Sequence, residues 1–537
     1  MTRDTPVLRV LPAAVVEVEL LAVTGSTGMV IVSDHPKPIP WFRGADGRAR
    51  VRLRVVEPGS NVIIRDGGGQ ILEKFVAPTE ERLTRWPDSA PIVSARPGDR
   101  VLRTDDGSPF LWLADTWWFA FSDRVNDDEY ADLVRRRREQ GFTVVQLCAG
   151  LYPEVDHGDD LGATDGKWAW TIDGSSVDAE WWDRADHRLV ALVAAGLVPA
   201  IAGAWSYYIH TLGADAIVRH WHEIVARWGA FPTVWVVAGE MGLPGYEAVG
   251  TPNEADLVED TIDLWRDVVS HLRALAPYSQ PVTVHPCPAF DHHSSTDVLR
   301  DRAELDFVWL QTGHADRASV PTTMRVLDHE TGTRPTRPVI NSEVCYEGIA
   351  GGSNATLQRF LFYAHLLRGA AGHTYGAHGL WSFRRHEDHG PGAMWGGSDW
   401  RDAFALPGGS QLGVGARILR DLPWWTWEPD RDAVGAGAPT DDPFLPIAAR
   451  ATDLLVVYFP SASLMDEGIG ITTRFREIQL RGLEPGEWRV DLIDPQTGDC
   501  AQSHTAMVDS AGCWTLPPGN FASCLPTFED WLLIARR

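Results

Sequence analysis

The chain has 537 residues, apolar and charged fractions of 44% and 23%, 24 Trp, 6 Cys and a formal net charge of −25. Such a length exceeds what one hydrophobic core organises, so two or three domains, or one large barrel with flanking modules, are expected. The negative charge disfavours nucleic acid, anionic membranes and polyanionic substrates, which leaves a neutral ligand as the expected partner.

In chain order, the opening stretch MTRDTPVLRVLPAAVVEVELLAV is interrupted by Glu17 and Glu19, so it suggests a strand rather than a signal peptide. No apolar run approaches 18 residues, and a cytoplasmic protein is the expectation. Short alternating segments such as RARVRLRVV and SNVIIRD predict a small β-sandwich over residues 1–85, followed by a charged, Pro-rich loop over 77–97. From 98 to 425 the texture changes to apolar strands alternating with helical patterns. The strands are predicted at 110–118, 143–150, 197–205, 233–240, 281–288, 307–314, 338–347 and 372–381. Eight strands with helical crossovers over this length define a (β/α)8 barrel, an α/β fold; a doubly wound sheet lacks its Gly-rich phosphate loop here. Short strands with Gly and Pro turns return over 426–537 and predict a second β-sandwich.

Three compositional features have ordinary structural explanations. The Trp excess is read first as a Trp-rich core, with sugar-stacking surfaces as the functional alternative. The RRRRE run at 135–139 is expected to form a solvated helix face. Cys148, Cys287 and Cys345 fall in or just beyond apolar strands as buried thiols do, while Cys500, Cys513 and Cys524 leave room for one bridge in an exported protein.

A barrel interior is filled with side chains, so reactive groups belong at the C-terminal ends of the strands. Those ends carry Asp115 and Trp117; Gln146; Trp205 and Tyr207; Glu240; His285; Gln311 and His314; Glu343, Tyr346 and Glu347; and His373, His378 and Trp381. Glu240 and Glu343 close the fourth and seventh strands. Paired carboxylates are what glycosidic cleavage needs, one protonated for the leaving oxygen and one ionised to attack or to activate water. The remaining residues are candidate sugar contacts. Glu347 is open between substrate contact and support of the loop, and Asp115 between sugar binding and holding a turn. The histidines form no H-x-H or H-E-x-x-H unit, so no metal and no cofactor are expected. Two alternatives stay open: a carbohydrate-binding protein without catalysis and a metal-dependent barrel hydrolase.

The segments FLWLADTWW, GFTVVQ, VWVVAGE, NSEVCYEG and AGHTYGAHGLW together resemble the apiosidase-like glycoside hydrolases, a family of barrel enzymes with a C-terminal sandwich that carries a collagen-binding label. The resemblance implies a retaining, exo-acting glycosidase for a neutral glycoside or oligosaccharide, furanosides included, with Glu240 as acid/base and Glu343 as nucleophile. Family members carry Asp in a Gly-Gly-Asp segment where this chain has Ala238-Gly239-Glu240, an added methylene that moves the carboxyl by about a bond length.

Overall fold

Eight short runs, buried along their whole length, form one parallel sheet: Trp112–Thr116, Val144–Cys148, Val198–Ala202, Val234–Val236, Val282–Thr283, Val308–Gln311, Val339–Glu343 and Gly372–Tyr375. Residues buried on both faces are what a parallel sheet demands, because helices cover its outside and side chains fill its inside. Ladders run from the fifth strand back to the first, then through the eighth and seventh to the sixth. Between the fifth and sixth strands, Asp306 N donates to Val282 O and Thr283 Oγ1 to Phe307 O, both at 3.0 Å, so the barrel is nearly closed. The computed structural model describes residues 8–516 and 529–537, apart from 22, 34, 56, 436–442 and 465–477.

The predicted helices cover the barrel as Asp127–Gln140, Ala179–Ala194, Ala214–Trp228, Glu254–Leu275 and Ala355–Leu367, joined by Val320–Gly332 and Pro407–Arg420. The first of these shows why such segments start and stop. Asn126 accepts from Glu129 N while the Glu129 side chain returns to Asn126 N, and Gly141 ends the helix at φ +96°. The basic run on this helix departs from a purely solvated face. Arg135 and Arg136 are half exposed and paired with acidic neighbours, but Arg137 points inward, is fully buried and contacts Asp115 at 2.6 Å.

The seven N-terminal strands, from Leu8–Leu11 to Ile71–Val76, are antiparallel. Gly28–Val32 pairs with one neighbour through its first residues and with another through its last, so the sheet folds over a core of Val16, Val18, Val51, Ile64 and Phe75. Buried Arg52 fastens this unit to the barrel by donating to Asp186 and to the Arg227 carbonyl. The stretch expected to be a loop holds a short helix, Glu80–Leu83, and a strand, Val93–Ser94, paired with Leu102–Thr104.

At the other end a six-stranded antiparallel sheet and a three-stranded one enclose Leu455, Val457, Leu480 and Trp488. Arg359 of the barrel donates across to Asp530 of this unit, which also accepts from its neighbour Tyr458. Cys500 and Cys513 are free thiols, and Cys524 lies outside the described residues. Twelve of the 24 Trp are fully buried, as a Trp-rich core requires. Among the described residues no helix is long and apolar enough to cross a membrane.

Candidate active site

The strand ends open into a cleft of about 1080 Å³ whose walls include Trp118, Glu154, Trp205, Tyr207, Glu240, Tyr246, Gln311, His314, Glu343, Tyr346, His378, Trp381 and Trp395. Glu343 ends the seventh strand. A bulge between the sixth and seventh strands sets Gln311 opposite Glu343 rather than Ser342, so the register itself brings the amide to the carboxylate. Gln311 Nε2 donates to Glu343 Oε1 at 3.1 Å, and His314 Nε2 lies 2.8 Å from the same oxygen. His285 Nε2 is 3.3 Å from Oε2, close enough for a charge contact without hydrogen-bond geometry. Burial by itself raises the Glu343 pKa, but the contacts with His285 and His314 outweigh it and hold the carboxyl well below its ordinary range.

Glu240 follows Gly239 in the turn after the fourth strand and adopts φ +44°, a left-handed conformation that a glutamate holds only where its surroundings impose it. Gly239 is bridged to Trp205, whose ring would lie 2.2 Å from a Cβ at position 239, so glycine is needed for Trp205 and Glu240 to meet. Trp205 Nε1 then donates to Glu240 Oε2 at 3.0 Å and the Tyr246 hydroxyl to the same oxygen at 3.3 Å. Gln311 Nε2 donates to Glu240 Oε1 at 3.2 Å, so one amide nitrogen serves both carboxylates. Two such bonds to one atom place the two carboxylate oxygens at most about 6.3 Å apart. Burial and the charge of Glu343 push the Glu240 pKa up. The pair therefore diverges, one carboxyl held ionised and its neighbour drawn toward the protonated form.

Trp118 floors the cleft, edge-on to Trp205 and to His285. The Tyr207 ring faces the cleft while its hydroxyl donates to the Tyr152 and Val155 carbonyls. His314 packs on Tyr346, and His378 Nε2 is 2.9 Å from the Gly396 carbonyl. Trp381 completes the wall.

Five of the residues proposed from sequence lie elsewhere. Asp115 points out of the barrel to Arg137 and accepts from Trp117 Nε1, so both it and Trp117 belong to the strand–helix interface. Gln146 points into the barrel and donates to Ser342 O and Thr374 Oγ1. His373 faces the covering helix, with its Nδ1 2.7 Å from His365 Nδ1. Glu347 turns away from the cleft and accepts from the Tyr375 hydroxyl at 2.6 Å and from Gly408 N at 3.0 Å, an anion set against the first turn of Pro407–Arg420. Gln311, read from sequence at the end of the sixth strand, lines the cleft, and so do Trp118, Glu154, Tyr246 and Trp395, which were not proposed. Gln311 and Trp118 stand at strand ends in the sequence, whereas the other three sit in loops that carry no periodic signal. Among the described residues no group of three or more His, Cys, Asp and Glu side chains is placed to hold a metal ion.

A nearly closed parallel barrel with paired carboxylates at the mouth is the architecture of a glycoside hydrolase-like protein. The chain belongs to the Apiosidase-like family, whose catalytic-domain model matches residues 96–426. A structure described as a glycoside hydrolase is similar over 84% of this chain and 97% of its own, at 19% identity and a TM-score of 0.66. A glycoside hydrolase family 5 protein from Bacteroides vulgatus is similar over 84% of this chain and 93% of its own, at 19% identity and a TM-score of 0.65. Another Bacteroides vulgatus structure, at 14% identity and a TM-score of 0.65, is similar over 98% of this chain and 99% of its own, flanking modules included. At these identities the likeness speaks to the fold. No curated protein matches the chain.

Proposed function

We propose that the protein hydrolyses a neutral glycoside or oligosaccharide, furanosides included, from its terminus and with retention of anomeric configuration. The reading rests on Gln311 Nε2, which lies 3.1 Å from Glu343 and 3.2 Å from Glu240. The two Oε1 atoms therefore stand within about 6.3 Å of each other, below the about 6.5–9.5 Å between the carboxyls of an inverting enzyme, which supports retention. Glu343, held ionised, attacks the anomeric carbon as Glu240 gives its proton to the leaving oxygen, and the C–O bond to the leaving group breaks. Glu240, now a carboxylate, takes a proton from water, whose oxygen displaces Glu343 from the sugar and returns the pair to its starting charges.

A neutral substrate agrees with a cleft lined by Glu154, Asp156, Asp159, Glu240, Glu247 and Glu343 and, among its described residues, by no Lys or Arg. Uronic acids and sulfated sugars would meet repulsion without a compensating cation. Action at a terminus agrees with the tie between the loops after the second and eighth strands. Glu154 of the one accepts from Gly392 N of the other at 2.7 Å, and the loop after the first strand between them is fastened to the eighth-strand loop by Arg124 to the Ser382 carbonyl and Asp388 and by Arg385 to the Asp123 carbonyl.

The test is hydrolysis of a panel of p-nitrophenyl glycosides, furanosides included, by wild type, Glu343→Gln and Glu240→Gln, with NMR assignment of the first-formed anomer. Loss of turnover in Glu343→Gln and a retained anomer are expected. Undiminished turnover in that variant, or an inverted product, would overturn the assignment.

A further inference from the structure

A third carboxylate stands in the cleft outside the Glu240–Glu343 pair. After the second barrel strand the chain turns through Leu151, Tyr152 and Pro153 to Glu154, which adopts φ +58° and lines the cleft. Left-handed backbone is uncommon for a glutamate and persists where neighbours over-determine it, as they do around binding groups. Its Oε2 accepts from Gly392 N at 2.7 Å, while Oε1 makes no hydrogen bond among the described residues. The donor is equally constrained. Gly392 has φ +78°, and a Cβ there would approach the Trp381 ring to 2.9 Å, so only glycine brings this N–H past the indole to the carboxylate. The bond therefore aims the side chain at the end of the cleft closed by the loops after strands two and eight. Burial and the nearby charges of Glu240 and Glu343 raise its pKa against the opposing Gly392 hydrogen bond and His314, and no Lys or Arg stands among the described residues of the cleft wall.

A carboxylate oxygen that faces the cleft without a protein donor is free to accept hydrogen bonds from a ligand. We propose that Glu154 is a specificity-determining, substrate-positioning residue whose Oε1 accepts hydrogen bonds from the hydroxyls of the terminal sugar seated at the closed end of the cleft. This deepens the glycosidase reading and rests on it. The substrate class follows: a glycone with a free hydroxyl at the position facing Glu154 and without an acidic substituent there, since a carboxylate or sulfate would face a like charge.

The experiment pairs Glu154→Ala and Glu154→Gln with monodeoxy forms of a p-nitrophenyl glycoside that the wild type hydrolyses. For wild type, removing the hydroxyl that Glu154 receives is expected to lower kcat/KM by about 10- to 100-fold, the range of a charge-assisted hydrogen bond. Glu154→Ala is expected to lose a similar factor on the parent glycoside and almost nothing further on that one deoxy analogue. Glu154→Gln keeps an acceptor for Gly392 N but gives up the charge, so it is expected to fall between the two. A merely structural role would depress all analogues alike, and equal deoxy penalties in wild type and Glu154→Ala would overturn the proposal. Glu343→Gln on the parent glycoside separates the two failures: loss of turnover there with no Glu154 coupling refutes the role of Glu154, and retained turnover refutes the glycosidase reading. Calorimetric binding of the free monosaccharide and its deoxy forms to Glu343→Gln, with and without Glu154→Ala, measures the same coupling without chemistry, and equal deoxy penalties in both would likewise overturn the proposal.

Discussion

Replacing Asp115 separates a sugar-binding residue from a buried ionic tie. In the wild type its Oδ2 receives Arg137 Nε at 2.6 Å and Trp117 Nε1 at 2.8 Å, and Oδ1 receives Thr116 N at 2.9 Å, with both charged side chains wholly inaccessible. Asp115→Ala leaves the Arg137 guanidinium with Gln140 Oε1, the rings of Phe142, Tyr375 and Phe404 and the charge of Glu347, with which it forms no ion pair. Breaking a buried pair from one side costs about 3–5 kcal/mol. Orphaning Trp117 Nε1 and Thr116 N draws on the same loss rather than adding to it in full, because the three donors share one carboxylate. Urea denaturation followed by Trp fluorescence should therefore show a loss of about 3–5 kcal/mol in the barrel transition. Asp115→Asn, which keeps the shape and part of the bonding, should lose less. Since the carboxylate lies on the outer face of the first strand, KM of the folded fraction should stay near wild type. A KM raised tenfold or more with an unmoved denaturation midpoint would refute this account and return Asp115 to the cleft.

Two further predictions concern the carboxylate pair. Glu240 must hold a proton to donate it, and burial together with the Glu343 charge raises its pKa, so kcat/KM should persist above the ordinary Glu range of about 4.3 and fall as pH rises through the raised value. The acid limb, governed by Glu343, should lie below that range because His285 and His314 hold its carboxyl down; an alkaline limb at or below the ordinary value would refute the assignment. Gly239→Ala places a methyl 2.2 Å from the Trp205 ring, and should displace Trp205 and Glu240 together, with kcat reduced at least tenfold and the seventh-strand contacts of Glu343 intact in a crystal structure. Full activity in that variant would show that the turn relaxes without moving the acid.

The barrel was legible because its signal is long-range and redundant: eight buried runs separated by helices with caps such as Asn126 and Gly141. Which strand-end residues face the cleft was legible only in part, because the direction of a side chain depends on strand phase and on single-residue irregularities. His373 lies on the outer face of its strand against His365, while Gln311 reaches Glu343 only through a register shift that no period reveals. The carboxylates at 343 and 347 show the same limit. Four residues apart in one acidic segment, they diverge once the strand ends at 343: Glu343 meets the histidines at the mouth, and Glu347 ties the loop to Gly408 and Tyr375 behind it. Arg137 reverses the reading of a whole charged run, since one helical position in four faces inward and finds Asp115 there. Glu154 carries no periodic signal, and its place depends on a glycine far along the chain. A carboxylate held in that way, by a backbone donor that only glycine can supply, is set by tertiary closure of the cleft rather than by its neighbours in sequence, and its free oxygen is where the closed cleft meets the ligand.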